Sequence, residues 1–537
     1  MNSLSRLLRG TLILSAATFF SKFIGLIFVI PFTNLVGEQG MALYGYAYIP
    51  YTILLSISTM GVPLAVSKFV SKYNALGDYA TGRRLLKSGL LIMTLTGFLA
   101  FVLLYMLAPV LAHNIIGKYG EQGNTVTDIT LVIRMVSTAL IIVPSMSLIR
   151  GYFQGFQSMG PTAVSQVVEQ IVRIVFILVG SYIIMNIMHG KTTTAVAIAT
   201  FAATLGAIAG FIVLLWYWAK RKPHLQKMYD QSKKADEISL SDIYKETIKY
   251  AIPFVAVGLA IPLYQMVDQF TIVNTLKTVS YSQTEAESIY AIITQIAHKL
   301  VMIPVSLATA LALTLIPVIT KSFTQSNKDV LHKQITQTFQ MVLFLTAPAA
   351  VGLTVLAYPA YGALFGMPSM DTGGFYLQWY APTALWFAMF TVTAAILQGL
   401  NQQRFAFISL SAGFLAKLLL NKPLLFLFGG TGSVIATDIG YTISILFNLY
   451  IIKKYSGFSF KWVYRRSVLI TVFCTIMALA VIGIMVLLGD SETRLQAIIK
   501  LSAGIVMGGA VYGFLSYQSG LLNIILGDRI PFLRRKK

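Results

Sequence analysis

Five cations stand inside apolar stretches long enough to cross a membrane: Lys22, Arg134, Arg173, Lys299 and Lys417. A charge at bilayer depth costs roughly 2.5–3.5 kcal/mol on insertion scales, so such side chains face a bundle interior or a wet cavity. Five positive charges in that setting ask for an anion, and phosphate or pyrophosphate is well matched to Lys and Arg. The acids available to answer them are fewer. Glu169 precedes Arg173 by four residues, the favourable order for an ion pair on one helix face. Asp268 is the obvious counter-ion elsewhere, with Asp438 a weaker one. Lys417 has Gly413 at the matching upstream position, and neither Lys22 nor Lys299 has a carboxylate at helical spacing. For each cation alone a structural ion pair competes with ligand contact. The excess of cations over acids tips the set toward an anionic ligand.

Nothing in the chain is equipped to make or break a bond. There is no P-loop, no HExxH and no nucleophile elbow. His113, His189, His224, His298 and His332 are scattered without ligand spacing, and the single Cys474 supports neither an intrachain disulfide nor a thiolate metal site. The expectation is therefore a transporter rather than an enzyme, with no metal and no cofactor, driven by a coupling ion or the membrane potential. Moving one charge through that potential is worth about 2.3 kcal/mol per 100 mV.

The elements that must position these cations are membrane helices. Of 537 residues, 56% are hydrophobic and 11% charged, against about 25% charged in soluble proteins. Spans of about 20 apolar residues are expected at 10–33, 45–71, 87–111, 126–151, 162–186, 194–219, 244–275, 288–321, 330–355, 375–400, 404–428, 432–454, 464–489 and 495–519. The fold class is all-α, a polytopic membrane protein of fourteen helices. Its expected domains are an N-terminal lobe (1–219), a linker (220–243, partly helical), a C-terminal lobe (244–454), and two extra helices with a basic tail (455–537).

The net charge of +22 is not a nucleic-acid footprint, because Lys and Arg fall mainly in short loops on one side of the spans. Arg6, Arg9, Arg83, Arg84, Lys220–Lys222, Lys453, Lys454 and the Arg534–Lys537 tail share that side, against Lys118, Lys191, Lys277 and Arg494 on the other. Both termini are expected in the cytoplasm. The run after Arg6 and Arg9 continues to Phe32, too long for a signal peptide, and reads as an uncleaved first span.

The chain also repeats. Pro50 and Pro63 recur as Pro304 and Pro317 at a shift of 254 residues, which marks spans two and eight as kinked gating helices. Tyr152-Phe-Gln-Gly155 recurs as Ile396-Leu-Gln-Gly399, and at that shift of 244 Arg173 and Lys417 are equivalent. An even number of spans separates the copies, so the repeat is parallel and substrate is expected between two rocking halves. Gly25, Gly61, Gly504, Gly508 and Gly509 read as kinks or close-packing surfaces.

Several long segments carry a family resemblance: Leu8-Arg-Gly-Thr11, Met60 to Asn74, Arg150-Gly-Tyr-Phe-Gln-Gly155, Met159 to Arg173, and Lys299 to Ala310. Together with the six-plus-six-plus-two arrangement, these resemble the lipid II flippase family in its YtgP-like, Gram-positive branch, within the multidrug/oligosaccharidyl-lipid/polysaccharide exporter superfamily. The resemblance implies a carrier for lipid II, the undecaprenyl-pyrophosphate-linked precursor of peptidoglycan, in the bacterial cytoplasmic membrane. It implies alternating access, with cavity cations on spans one, two and eight holding the pyrophosphate. Lys22 and Lys299 match the first- and eighth-helix positions of that set. A second first-helix cation falls at Phe28 and the second-helix one near Leu55–Ser56, so Arg134, Arg173 or Lys417 would supply the remaining charge. Spans thirteen and fourteen resemble a pair that forms a groove for the lipid tail. The partners implied are the lipid-linked substrate and membrane lipids, and the protein is expected to be a monomer.

Three rivals remain at this point. A flippase for another undecaprenyl-linked glycan (capsule, teichoic acid or spore-specific) would share the pyrophosphate logic. A multidrug/cation antiporter would want buried unpaired acids, of which this chain has few. A membrane scaffold would not need buried unpaired cations.

Overall fold

The computed structural model describes residues 3–59, 61–117, 123–232 and 257–522, with isolated positions at 239, 241, 244, 245 and 255. Lys118, most of the segment from 233 to 256 and the basic tail from 523 lie outside the described residues. The chain forms two compact units, Met1–Asn274 with Ser282–Glu287, and Thr275–Tyr281 with Ser288–Lys537. The first contains α1 (Ser3–Ile27), α2 (Val29–Thr59), α3 (Val62–Ala75), α4 (Tyr79–Ile116), α5 (Val126–Ser137), α6 (Val143–Gly155), α7 (Met159–Tyr182), α8 (Thr192–Asp230) and most of α9 (Ala260–Thr278). The unit boundary falls inside α10 (Gln283–Ala291). The second contains α11 (His298–Thr324), α12 (Lys328–Val355), α13 (Ala357–Phe365), α14 (Met370–Tyr380), α15 (Thr383–Gly399), α16 (Gln403–Phe428), α17 (Gly430–Ser456), α18 (Lys461–Leu487) and α19 (Arg494–Gln518).

Each of the fourteen expected spans coincides with helix over the residues described. Among the described residues, twelve stretches are long and apolar enough to cross a membrane. One of them, Ala16–Thr59, has 44 residues. At about 1.5 Å per residue it is roughly twice the ~30 Å hydrocarbon core. Gly37, at φ 69° and ψ −178°, breaks it into two spans. α9, whose span is described only in its later part, is the fourteenth. The protein is a multi-pass, all-helical membrane protein. Leu91, Leu95, Leu99 and Met106 on α4 are largely exposed, a surface suited to lipid. The interior of the first unit packs Val66 and Val70 (α3) against Met93 (α4), Leu148 and Tyr152 (α6), and Leu214 (α8). That of the second packs Phe344 (α12) against Phe473 and Met477 (α18) and Tyr512 (α19).

The internal repeat is written in four helix ends. Gly77, Gln157, Ser326 and Asn401 all take positive φ (78°, 56°, 54° and 57°) just past a helix. Each makes the same pair of bonds: Gly77 N–H to Asn74 and Asp78 N–H to Tyr73; Gln157 to Gln154 and Ser158 to Phe153; Ser326 to Phe323 and Asn327 to Ser322; Asn401 to Gln398 and Gln402 to Leu397. These are Schellman-type ends, which satisfy the last carbonyls. Asp78 and Asn327 then cap the next helix through Thr81 N–H and Val330 N–H. The glycines of the repeated Gln-Gly pair also act alike. A Cβ on Gly155 would lie 2.7 Å from Val70 Cβ, and one on Gly399 would lie 2.7 Å from Ile319 Cγ2. Each lets the end of one helix close on its neighbour.

This register supports the Arg173–Lys417 equivalence but corrects the proline one. Pro63 lies 14 residues before Gly77, whereas Pro317 lies nine before Ser326. The two prolines are therefore about 140° apart around the helix at 3.6 residues per turn. Their local settings differ as well. Pro63 stands in the first turn of α3, behind Gly61 at φ 68°, where its missing N–H costs nothing. α11 runs unbroken through the positions of Pro304 and Pro317. Pro50 stands inside α2.

Candidate functional site

In the first unit, α1 and α7 pack along stripes three and four residues apart. Thr18 Oγ1 donates to Gln166 Oε1 at 3.2 Å, and a Cβ on Gly25 would lie 2.8 Å from Gln170 Nε2. Lys22 occupies the same stripe as Thr18 and Gly25, and Arg173 the same stripe as Gln166 and Gln170. At about 1.5 Å per residue, Arg173 stands roughly 5–9 Å further along the bundle than Lys22. Lys22 is exposed and has no ion pair among the described residues. The Phe28 position is filled by aromatic packing, with its ring 6.2 Å from that of Tyr44 and 6.1 Å from that of Phe32.

Glu169 and Arg173 form the ion pair expected from their spacing, Nη2 to Oε1 at 2.7 Å. A third member joins them. Arg150 Nη2 reaches Glu169 Oε2 at 2.8 Å and donates to Ser165 Oγ at 2.7 Å. Two guanidiniums thus share one carboxylate. Gly206 and Gly210, four residues apart on α8, make room for this cluster. A Cβ on Gly206 would fall 2.7 Å from the Glu169 carbonyl oxygen and 3.0 Å from Arg173 Cβ. One on Gly210 would fall 3.2 Å from Arg150 Nη2. Opposite, Tyr44, Tyr48 and Tyr51 share one face of α2. The rings of Tyr44 and Tyr48 stack at 4.6 Å, and Tyr51 meets Tyr48 edge-on at 5.4 Å. All three phenols lie within electrostatic reach of Arg173.

The remaining candidates of the first unit are dispersed. Arg134 folds onto α4, its Nε 3.4 Å from the Tyr105 carbonyl and its guanidinium 4.6 Å from that ring. Asp268 is buried at 5% exposure on α9, where its neighbour Gln269 donates to the Tyr46 carbonyl at 3.1 Å.

In the second unit, a π-helical turn at Ile292–Ala297 immediately precedes α11. Such turns rotate the following residues by an extra step and recur at functional sites. Here His298 points inward, with Nδ1 3.0 Å from Tyr380 Oη. Lys299 is half-buried and has no ion pair among the described residues. Lys417 is different, with no exposure at all. Its ammonium donates to the Ser433 carbonyl and to Thr437 Oγ1, each at 2.8 Å, and so ties α16 to α17. Asp438, held by Thr383 Oγ1 at 2.9 Å, lies in its field. Lys417→Ala is expected to lower the melting temperature of the purified protein, since charged hydrogen bonds are worth about 1.5–3 kcal/mol. Lys417→Met should do less harm, because it keeps the volume. A loss of lipid binding with unchanged melting would contradict this structural role.

The spacing of Glu169 and Arg173 anticipates their ion pair, whereas Arg150, the tyrosine ladder and the π turn have no such local charge pattern. The spacing of Tyr44, Tyr48 and Tyr51 was the available signal for the ladder. Arg150 lies 19 residues from Glu169, beyond any helical pattern.

Comparisons with known proteins place the chain in a family and a fold. Residues 7–323 match the family described as polysaccharide biosynthesis protein. Over 538 residues, covering 99% of both chains, the sequence is 46% identical to Lipid II flippase MurJ of Bacillus subtilis (strain 168). The chain belongs to the lipid II flippase MurJ family. A solved MurJ structure in an inward closed conformation superposes with a TM-score of 0.68 at 16% identity, covering 95% of this chain and 99% of that one. An inward-facing multidrug resistance MATE family transporter of the MOP superfamily follows at 0.64 and 14% identity, covering 81% and 95%. At those identities the two structures speak for the MurJ and MATE fold alone. The 46% relative is what speaks for the MurJ family.

Proposed function

We propose that this chain moves lipid II from the inner to the outer leaflet of the bacterial cytoplasmic membrane by alternating access, as a monomer with both termini in the cytoplasm. The observation that carries the reading is the 46% identity to the B. subtilis lipid II flippase over 99% of both chains. Lys22 and Lys299 support it as the two of the five expected cations with neither an ion pair nor a side-chain hydrogen bond among the described residues, whereas Arg134, Arg173 and Lys417 are each engaged. In this reading they take the pyrophosphate oxygens, a point-charge role suited to lysine. Arg173 extends the positive field in the first unit, Asp268 serves as a counter-ion, and Pro50 and Pro304 are the hinges. Arg134 and Lys417 act through the field and through packing rather than by contact. The membrane potential is sufficient in scale to drive the cycle.

The lipid tail has a candidate berth in the second unit. A cavity of about 400 Å³ is lined by α12, α18 and α19, including Leu353, Met477, Val481, Leu501, Ile505 and Gly509. A Cβ on Gly509 would meet nothing within 4 Å, so Gly509→Ile narrows this groove without disturbing the fold. The expected result is weaker binding of long-chain polyprenyl lipids with unchanged melting. Equal binding of short- and long-chain lipids by both proteins would remove the groove from the account.

The test is complementation. In a host depleted of its own lipid II flippase, expression of this chain is expected to restore growth. Failure with the protein folded in the membrane would overturn the lipid II assignment and favour another undecaprenyl-linked glycan.

A further inference from the structure

Three features of the first unit are left over once the cations have been placed. Arg150 and Arg173 share the single carboxylate of Glu169, so the cluster keeps a net positive charge. Arg173 commits Nη2 to Glu169, while its buried Nε finds no acceptor among the described residues. Buried donors are nearly always satisfied, so this fork has donor capacity to spare. Beside it, on α2, which packs against α7, stands the tyrosine ladder, with Tyr48 as the half-exposed rung between two buried ones.

The surroundings hold these groups in place. Ser165 fixes Arg150 through Nε at 3.2 Å and Nη2 at 2.7 Å. Gly206 and Gly210 bring the α8 backbone so close that the cluster cannot retreat toward it. Tyr44 is wedged against Phe32, ring to ring at 5.4 Å, which fixes the base of the ladder. A planar donor edge and a carboxylate next to an aromatic face are complementary to a sugar. The C–H face of a pyranose lies on the ring, its hydroxyl and amide oxygens accept from the guanidinium, and its hydroxyls donate to the carboxylate.

We propose that Tyr48, Arg173 and Glu169 form a saccharide subsite that holds the glycan headgroup of the transported lipid. A simple anion would make no use of the tyrosine ladder, and a hydrocarbon tail would make none of the arginine fork. A sugar ring uses both. The proposal rests on the flippase reading above, but not on which lysines hold the pyrophosphate.

The test compares two probes on the full-length protein in nanodiscs: undecaprenyl pyrophosphate, and the same lipid carrying the disaccharide-pentapeptide. Tyr48→Leu and Arg173→Lys are each expected to weaken the sugar-bearing lipid about tenfold and to leave undecaprenyl pyrophosphate unchanged. Tyr48→Phe, which keeps the ring, should bind as wild type. Arg173→Lys leaves the ladder intact, so it reads the site independently if Tyr48→Leu does not fold. Equal weakening of both lipids by these variants, or of neither, would overturn the subsite. Wild-type protein that binds neither lipid would instead defeat the flippase reading. Wild-type protein that binds both equally would spare that reading and defeat the subsite alone.

Discussion

Lys22→Ala and Lys299→Ala are each expected to cut lipid II flipping by about 10- to 100-fold while the folded protein still accumulates in the membrane. A hydrogen bond to a charged group carries about 1.5–3 kcal/mol, and each 1.4 kcal/mol is about tenfold in affinity. Neither lysine has an ion pair among the described residues, so removing either leaves no uncompensated partner behind and should not unfold the protein. Arg134, Arg173 and Lys417, by contrast, are each bonded to a neighbouring group. Lys22→Arg and Lys299→Arg, which keep the charge, should retain most activity. The measurement is flipping by reconstituted protein with the amount of folded carrier held equal. Full activity of both alanine variants would take the pyrophosphate away from these lysines and leave the family assignment untouched.

Glu169→Gln is expected to be the most destabilising polar substitution in the first unit. Its side chain is 12% exposed, and Arg150 and Arg173 are 16% and 17% exposed. Breaking a pair at such burial costs about 3–5 kcal/mol, because the leftover charge is stranded. Here two guanidiniums would be stranded together. The loss should appear as a lowered melting temperature in detergent and as poor accumulation in the membrane. Replacing all three residues by apolar ones of similar volume should recover most of that stability, since a buried ion cluster is seldom more stable than packed hydrocarbon. If the triple variant folds yet does not transport, the cluster is kept for its chemistry. If it transports normally, the cluster is structural and the saccharide subsite fails with it.

Much of this architecture was legible in the chain because bilayer thickness is a strict ruler. Over the described residues, the fourteen apolar runs map onto helix, including the first pair that Gly37 divides. The breaks inside spans were less legible. Gly61 interrupts the second span just before Pro63, and a π turn precedes Lys299, yet neither changes the hydropathy pattern. The helix at 192–230 continues through Pro223 to Asp230, into the segment read as a partly helical linker, but its end has no mark in the sequence pattern. The proline repeat was misleading for a related reason. Matching letters at a shift of 254 gave no account of where each helix ends, and the shared αL turns supply that reference.

For the site, legibility followed sequence distance. Glu169 and Arg173 pair across one helical turn, so spacing alone was sufficient. Arg150 joins them only because α6 and α7 fold back on each other. Lys417 looked like a cavity cation because no acid stands near it in sequence. Its partners are a backbone carbonyl and a threonine hydroxyl on the next helix, and a pattern built on charges cannot register them. The tyrosines of α2 were visible at 44, 48 and 51, but their meaning depends on Arg173, which comes from a different helix.

The most direct test of the central claim is the exposure of lipid II on the outer surface of cells in which this chain is the sole lipid II flippase. Wild-type chain is predicted to restore surface-exposed lipid II, and Lys22→Ala and Lys299→Ala to leave it on the inner leaflet. Lipid II that stays inside while the wild-type chain is folded in the membrane would contradict the account.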